Sequence, residues 1–289
     1  MKKWGFLIGI ILIGYIIAQA PAFLVEDKGM PIVILNKDDK YAGYQAISGQ
    51  KMQEQIHKGN LVLVNSKHAI QPEGVRSDIV YVAGEAELSQ GYGLMDQKLM
   101  LSREVAERFQ RMVEAAGAED VRYFLMSSGY RDFEKQDELY RQKGSDYALP
   151  AGYSEHNLGL SLDVGSSLAA MSEAPEGAWL EKNAWKYGFI LRYPKDKVNV
   201  TGIQYEPWHF RYVGMPHSAV MAKNGMVLEE YLEMLKAKKN VTVNLDGETY
   251  HIHYYQVSKD TRIYLPVNEP YDISGDNMEG VIVTVKKSL

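Results

Sequence analysis

The 154–163 stretch reads Ser-Glu-His-Asn-Leu-Gly-Leu-Ser-Leu-Asp, and the 206–209 stretch reads Glu-Pro-Trp-His. Together they offer two imidazoles, His156 and His209, and one carboxylate, Asp163. Catalytic zinc sites commonly use three protein ligands of these types and leave the fourth position to water. The small residues between the first two ligands would let the backbone turn, so that both could point into one cleft. Spacing alone only suggests a zinc site, because an isolated histidine is more often structural than a ligand.

A further carboxylate, Glu206, lies three residues before His209. This spacing would bring Glu206 near the metal without making it a ligand. A zinc hydrolase needs such a group, because a base must take a proton from the attacking water and pass it to the leaving amine. Glu206 is therefore the candidate general base.

The composition is that of a globular protein. The chain has 289 residues, of which 46% are hydrophobic, enough for one sizeable core and a small accessory unit. It has no cysteine, so any metal site must use His, Asp or Glu, and disulfides and cysteine nucleophiles are excluded. The net charge of -5, with basic and acidic residues interspersed, argues against nucleic-acid binding, which usually needs a basic stripe.

The N-terminus has the features of a membrane anchor. Lys2 and Lys3 precede an uncharged apolar run, Trp4 to Val25, of about 22 residues, which as a helix could span the roughly 30 Å hydrocarbon core of a membrane. By the positive-inside rule the lysines stay in the cytoplasm, and the catalytic part is expected to be extracytoplasmic. The alternative is a cleaved signal peptide, since Ala18-Gln-Ala20 resembles a cleavage site. We favour the uncleaved anchor because Pro21 would follow the cut, where its ring fits the peptidase poorly.

Shifts in composition predict four parts along the chain. They are a membrane anchor at 1–25, a polar stem at 26–58, a catalytic domain at 59–238 and a small β-rich C-terminal unit at 239–289. We expect the fold to be α+β, with helices packed on a small, mainly antiparallel sheet.

Local patterns predict individual elements within these parts. The apolar 60–65 segment is expected to be a strand that opens the folded domain. Helices are predicted from a Ser102 cap to Gly117 and from an Asp132 cap to Lys143. Two later helices are expected to divide near 224–225, and an Asp-Gly turn at 246–247 predicts a β-hairpin.

The motifs resemble the signature of a known peptidase family. Ser-x-His-x-x-Gly-x-x-x-Asp with a later Glu-x-Trp-His is similar to the signature of the zinc D,D-peptidases, which include VanY- and VanX-type enzymes and have a hedgehog-like fold. The upstream Ser128-Gly-Tyr-Arg131, with Gln136 five residues after the arginine, resembles a further motif of the carboxypeptidase branch. The resemblance extends from about Leu61 to Gly214. One departure is Ser161, where the family usually has alanine, and we expect this small-for-small change to be harmless.

The resemblance implies a role for each residue of the metal motif. It makes His156, Asp163 and His209 the ligands of a Zn²⁺ ion. It makes Glu206 the general base, as the spacing also suggests.

Three further side chains are implied to meet the substrate. Arg131 would face the scissile carbonyl and stabilise the oxyanion that forms there. Gln136 and Ser154 would contact the C-terminal residue of the peptide and its carboxylate.

The resemblance to VanY-type enzymes implies a D,D-carboxypeptidase that removes the terminal D-Ala from peptidoglycan stem peptides or their precursors. Its removal deprives glycopeptide antibiotics such as vancomycin of their target. Two alternatives stay open, an L,D-carboxypeptidase acting on tetrapeptide stems and a non-catalytic wall-binding domain with a structural zinc. Glu206 and Arg131 favour an enzyme, since a structural site needs neither a base nor an oxyanion donor. A serine-type carboxypeptidase is not expected, because the chain has no convincing Ser-x-x-Lys motif.

Three other histidines are expected to be structural. His251 and His253 lie two apart on a predicted strand, but no third ligand is evident, and surface positions are favoured. His217 follows Pro216 at a predicted helix start, where a backbone or capping contact is expected.

Overall fold

The computed structural model describes residues 24–26, 43–144 and 148–287. Most of the predicted anchor, 1–25, therefore lies outside the described residues. Its last two residues belong to a strand, β1 (Leu24–Glu26). Within the described ranges, no helix is both long enough and apolar enough to cross a membrane.

The remaining elements are seven α-helices and thirteen strands within the described ranges. The helices are α1 (Gly49–Gln53), α2 (Arg103–Ala118), α3 (Phe133–Lys143), α4 (Pro175–Asn183), α5 (Val198–Thr201), α6 (His217–Asn224) and α7 (Leu228–Lys238). The strands after β1 are β2 (Tyr44–Ser48), β3 (Ile79–Tyr81), β4 (Gly93–Leu94), β5 (Met100–Ser102), β6 (Phe124–Ser128), β7 (Ser161–Ser166), β8 (Phe189–Leu191), β9 (His209–Tyr212), β10 (Asn240–Leu245), β11 (Glu248–Gln256), β12 (Arg262–Pro266), β13 (Tyr271–Gly275) and β14 (Gly280–Lys287).

A five-stranded sheet carries the ligand motifs. Its strand order is β4-β6-β7-β9-β8, in which β4 and β6 run parallel and the other pairs are antiparallel. In this register Asp163 on β7 lies opposite His209 on β9 and, on its other side, pairs with Ser128 at the end of β6. The sheet thus brings two predicted ligands side by side, and the expected α+β fold with a mainly antiparallel sheet is confirmed.

Helix α2 shares a core with this sheet, as its apolar spacing predicted. Its inward positions Val105, Phe109 and Met112 are fully buried in one cluster with residues of β6 and β7. Ser102 is the N-cap, and its hydroxyl accepts a hydrogen bond from the Val105 amide. The helix ends one residue beyond the predicted Gly117.

A second five-stranded sheet, in the order β1-β10-β11-β14-β13, forms most of the C-terminal part. The predicted hairpin is β10–β11, and both turn residues, Asp246 and Gly247, have positive φ angles of 51° and 83°. The inner face of this sheet packs on α6 and α7 in a second core. The C-terminal strands and the helices of the predicted catalytic domain therefore bury each other's apolar faces.

Residues 60–65 differ from the prediction, because they are not part of any sheet within the described ranges. The apolar side chains from Leu61 to Val64 are buried, and this burial explains the apolar pattern of the segment. Side chains satisfy much of the backbone instead of a neighbouring strand: Ser274 accepts from the Leu61 amide, and Asn277 donates to the Leu63 carbonyl. Apolar sequence alone could not distinguish this buried extended segment from a strand.

The later part of the segment predicted as a stem is folded onto the C-terminal strands. Strand β2 pairs with β12 in an antiparallel register. Helix α1 follows it, and Met52 of this helix is buried in a third apolar cluster with Ile263 and Val283. Residues 44–53 are therefore tied to the end of the chain.

Candidate active site

The three predicted metal ligands meet at one point. Asp163 and His209 are cross-strand neighbours, and His156 lies on a short 3-10 turn just before β7. This turn ends at Gly159, whose φ of +82° is left-handed, and a side chain there would collide with Ile79. The backbone reversal is what brings His156 back over Asp163.

The geometry of these three side chains fits a single metal ion. One ligand atom from each lies within 4.8 Å of the others. Oδ1 of Asp163 is 3.4 Å from Nε2 of His156 and 3.2 Å from Nδ1 of His209. This oxygen is buried and has no well-oriented hydrogen-bond donor among the described residues. A buried carboxylate oxygen between two imidazole nitrogens suits Zn²⁺, which takes nitrogen and oxygen ligands in tetrahedral geometry.

Each histidine contacts a neighbouring protein group through one ring nitrogen and directs the other toward the proposed metal position. Nδ1 of His156 is 2.7 Å from the carbonyl oxygen of Gly129, so it is the donor and Nε2 is left with a lone pair. Nε2 of His209 is 3.4 Å from a carboxylate oxygen of Glu155, which leaves Nδ1 facing Asp163. Hydrogen bonds of this kind fix the tautomer and the orientation of ligating imidazoles.

The electrostatics of the ligands favour a bound cation. Burial lowers the pKa of His156, and the nearby Arg131 charge lowers it further, so this ring is neutral at physiological pH. Burial also acts to lower the pKa of His209, but the Asp163 and Glu155 carboxylates beside its ring outweigh it and raise that pKa to about 9. The same two carboxylates that stabilise a proton on His209 also attract a divalent ion.

Glu206 lies beside the ligands, in the loop before β9. Its Oε2 is 3.6 Å from Nδ1 of His209, and its side chain is 27% exposed. The loop is held by hydrogen bonds from the Glu206 amide to the Tyr193 carbonyl and from the His209 amide to the Glu206 carbonyl. Burial raises the pKa of Glu206, although the His209 charge partly opposes this. The carboxylate is therefore placed to exchange protons within the cleft.

All seven predicted site residues line one cleft of about 560 Å³. Its remaining walls are Ala148, Leu149, Glu155, Tyr193, Gly202, Ile203, Gln204 and Trp208. The cleft brings together residues from four separate stretches of sequence. Their individual roles stay predictions.

Arg131 lies two residues before α3, and hydrogen bonds hold its backbone at both ends. Its amide donates to the His156 carbonyl, and its own carbonyl accepts from Asn157 Nδ2 at 2.7 Å. The guanidinium is buried near Asp163 and Glu206, and its Nε has no hydrogen-bond partner among the described residues. The following Asp132 caps α3, as predicted, by accepting from the Lys135 amide.

Gln136 and Ser154 also line the cleft, and both are buried. Nε2 of Gln136 donates to the Leu149 carbonyl at 2.6 Å, whereas its Oε1 has no partner within the described ranges. The Ser154 hydroxyl accepts a hydrogen bond from the His156 amide at 3.4 Å and so caps the ligand turn. Its own proton remains available to an acceptor in the cleft.

Three neighbours of the ligands were not assigned a role from the sequence. The Tyr193 ring packs against His209 with 4.9 Å between ring centroids. Trp208, 42% exposed, forms part of the cleft rim. Glu155 is buried behind His209, although a charged residue between two motif positions is ordinarily taken as exposed. Only its position inside the motif could have drawn attention to it.

The other histidines contribute no metal cluster in the part of the chain that the structure describes. His217 is buried in the second core, where Tyr231 and Thr284 contact its two ring nitrogens, so the expected backbone or capping contact is replaced by side-chain contacts. Burial lowers its pKa to about 3. His253 is half-buried, and its Nδ1 contacts Asn240. His251 contacts Thr242 in the same way.

The sequence is similar to those of known D-alanyl-D-alanine carboxypeptidases. A family model described as VanY, D-alanyl-D-alanine carboxypeptidase, matches residues 98–215. A D-alanyl-D-alanine carboxypeptidase of Enterococcus faecium is 57% identical over 233 residues, which are 81% of this chain and 77% of that protein.

Solved structures give the same likeness. The vancomycin-resistance D,D-dipeptidase VanXYg, in complex with a D-Ala-D-Ala phosphinate analogue, is 30% identical with a TM-score of 0.72, over 84% of this chain and 98% of that one. A vancomycin-resistance D,D-pentapeptidase VanY variant in complex with Zn(II) is 30% identical with a TM-score of 0.50, over 60% of this chain and 98% of that one. The LD-carboxypeptidase LdcB is 33% identical with a TM-score of 0.51, over 59% of this chain and 84% of that one.

Proposed function

Because the chain belongs to the VanY family of zinc-dependent D-alanyl-D-alanine carboxypeptidases, we propose that its cleft hydrolyses the last peptide bond of peptidoglycan stems that end in D-Ala-D-Ala. The observation that carries this proposal is the meeting of three ligand atoms, a free carboxylate and a buried guanidinium in one cleft. A structural metal site would need only the first of these.

The metal site is proposed to use Nε2 of His156, Nδ1 of His209 and the Asp163 carboxylate. Zinc bound there would act as a Lewis acid toward the scissile carbonyl and the attacking water. The protein's part is to hold the three ligands in place, which the β7–β9 pairing and the His156–Gly129 contact do.

Glu206 is proposed as the general base. It lies 3.6 Å from a ligand nitrogen, so a water beside the metal position would be within its reach. The carboxylate takes the proton of the attacking water and then gives it to the leaving D-Ala amine. The raised pKa of Glu206, caused first by burial, favours the first transfer because a carboxylate with a higher pKa is a stronger base toward the attacking water.

Arg131 is proposed to stabilise the oxyanion of the scissile carbonyl. Its backbone is fixed at both the amide and the carbonyl, and its guanidinium is buried beside the two carboxylates, so positive charge is already present where negative charge would develop. Its position near Asp163 and Glu206 places it at the reacting end of the cleft.

Gln136 and Ser154 are proposed to hold the terminal D-Ala. Since the free atom of Gln136 is an acceptor, it suits the N–H of the substrate's last peptide unit. The Ser154 hydroxyl, which accepts from the His156 amide, can donate its own proton to the terminal carboxylate. The two residues would thus read different atoms of the same D-Ala.

The site is proposed to work outside the cytoplasmic membrane, with the N-terminal apolar run before β1 as the anchor. The support for this is the sequence, in which two lysines precede an uncharged apolar run. Stem peptides and their lipid-linked precursors are accessible there. Loss of the terminal D-Ala would remove the target of vancomycin, and we therefore infer a contribution to glycopeptide resistance.

The experiment that tests the substrate uses the full-length protein in detergent, with matched stem peptides ending in D-Ala-D-Ala and in a single D-Ala. We expect D-Ala release from the pentapeptide and much slower release from the tetrapeptide. Preferred cleavage of the tetrapeptide would establish the L,D-carboxypeptidase alternative, to which the similarity with LdcB points. Binding of either peptide without turnover would indicate a wall-binding domain.

A further inference from the structure

A buried glutamate lies directly behind one of the proposed metal ligands. Oε2 of Glu155 faces Nε2 of His209 at 3.4 Å and accepts a hydrogen bond from Ser161 Oγ at 3.1 Å. Its other oxygen, Oε1, accepts from Arg192 Nε at 2.8 Å and from Arg211 Nη1 at 2.7 Å. Both carboxylate oxygens are therefore fully engaged, and the side chain has one orientation.

The two arginines extend this contact into the surrounding fold. Neither has any exposed side-chain surface. Arg192 makes a two-pronged ion pair with Glu229 at the start of α7, with N–O distances of 2.8 and 2.7 Å. Arg211 donates to the carbonyls of Asn60 and Val62 in the buried extended segment. The charges are balanced, with two arginines and two glutamates.

Such a cluster needs a reason beyond stability. Removing charged groups from water is costly, and an apolar core of the same volume often stabilises a fold as well or better. The fully bonded arrangement is, however, rigid and directional. Here the cluster contacts a proposed ligand through Glu155, which faces the nitrogen of His209 that does not face the metal position. A carboxylate at that place keeps the proton on Nε2 and leaves the Nδ1 lone pair free for a metal.

We propose that Glu155 is a positioning residue for the metal centre, and that Arg192, Arg211 and Ser161 fix it so that His209 presents Nδ1 to the ion. This inference rests on the proposed function, since it concerns the same metal site. It also gives a role to Ser161, whose hydroxyl an alanine at that position would lack. The small-for-small change that looked harmless in the sequence supplies a donor to the carboxylate behind a ligand.

The chain offers a matched control for a buried glutamate. Glu176 is equally buried, and its carboxylate likewise accepts from a serine hydroxyl, that of Ser166 at 2.7 Å. Its second oxygen accepts from the Tyr123 amide. Unlike Glu155, it touches none of the proposed ligands. Changing Glu176 therefore reports the cost of losing a buried carboxylate without disturbing the metal site.

The test measures the zinc affinity of the full-length protein in detergent by competition with a chromogenic chelator, and the absorption spectrum of the Co²⁺ form. Neither readout needs turnover. We expect Glu155→Gln to weaken zinc binding about 10- to 100-fold and to change the cobalt spectrum. Glu176→Gln should leave zinc affinity within about twofold of the unmodified protein, even if it lowers the melting temperature as much as Glu155→Gln does.

Ser161→Ala is the second variant, because it leaves both arginine ion pairs in place and should fold if Glu155→Gln does not. We expect it to weaken zinc binding by a few-fold with little change in melting temperature. If zinc affinity is reduced only in Glu155→Gln, Glu155 positions His209 and the role proposed for Ser161 is wrong. Zinc affinities within twofold of the unmodified protein, with an unaltered cobalt spectrum, in every variant that folds would overturn the proposal. Unmodified protein that binds zinc tightly but cleaves no stem peptide would instead count against the proposed function alone.

Discussion

Glu206 separates a catalytic zinc site from a structural one at the scale of a single residue. The carboxylate is near the three ligand atoms but is not one of them. Glu206→Gln should therefore keep the zinc and lose turnover by several orders of magnitude, because the amide cannot accept and return a proton. Metal content and kcat on a pentapeptide stem measure the two effects separately. A variant with normal zinc content and near-normal kcat would remove Glu206 from the mechanism.

Arg131 and Gln136 line the same cleft but are expected to act at different stages. Arg131→Lys keeps the charge and loses the planar fork, so it should lower kcat, by about 10²–10³ if the guanidinium is an oxyanion donor. Gln136→Ala should mainly raise KM, since it weakens the hold on the terminal residue in the ground state as well. Steady-state kinetics on one pentapeptide distinguish them. An Arg131→Lys enzyme with unchanged kcat and a raised KM would mean that this arginine only binds substrate.

At the scale of elements, the start of α6 is expected to make the fold sensitive to acid. Burial between Tyr231 and Thr284 lowers the pKa of His217 to about 3, whereas an unfolded histidine titrates near 6.5. Between these values the unfolded chain binds a proton that the folded chain does not. The stability contributed by neutral His217 is thus present above pH 6.5 and is lost as the pH falls toward 3.

The expected slope from this one group approaches 1.4 kcal/mol of unfolding free energy per pH unit between about pH 6 and pH 4. Urea unfolding of the unmodified protein and of His217→Asn at pH 5, 6 and 7 measures it. The variant should be less stable at pH 7 and should lose less stability on acidification. Identical pH slopes for the two proteins would show that His217 is not kept neutral by the fold.

The elements also show what sequence reasoning could and could not reach. Local signals were sufficient where one residue decides the structure, as in the caps Ser102 and Asp132 and the Asp246-Gly247 turn. The 60–65 segment was assigned wrongly as a strand, because many of its backbone groups bond to side chains that are distant in sequence, those of Arg211, Ser274 and Asn277. No local pattern carries that information.

The candidate site also contains residues that the sequence predicted and residues that it did not. The motif gave the seven residues that line the cleft, since their chemistry is visible in their type and spacing. It gave no hint that Arg192 and Arg211 are buried, because charged residues usually face solvent. The pairing of β8 with β9 and their contact with Glu155 decide that burial, and these are tertiary facts.

At the scale of the whole molecule, the location of the enzyme depends on the N-terminal apolar run before β1. If this run forms an uncleaved anchor, the full-length protein will stay in the membrane fraction after a high-salt wash, because hydrophobic insertion does not depend on charge screening. Fractionation followed by N-terminal sequencing measures this. A secreted protein that begins at Pro21 would rule out the anchor and leave the proposed mechanism unchanged.

The central claim is that hydrolysis depends on a metal held by His156, Asp163 and His209. The most direct measurement is D-Ala release from a pentapeptide stem by the full-length protein after removal of metal, followed by titration with Zn²⁺. The account predicts no release from the metal-free protein, full recovery at about one equivalent of Zn²⁺ as expected for a three-ligand site, and no inhibition by penicillin. Hydrolysis that persists in metal-free protein, or that penicillin abolishes, would contradict it.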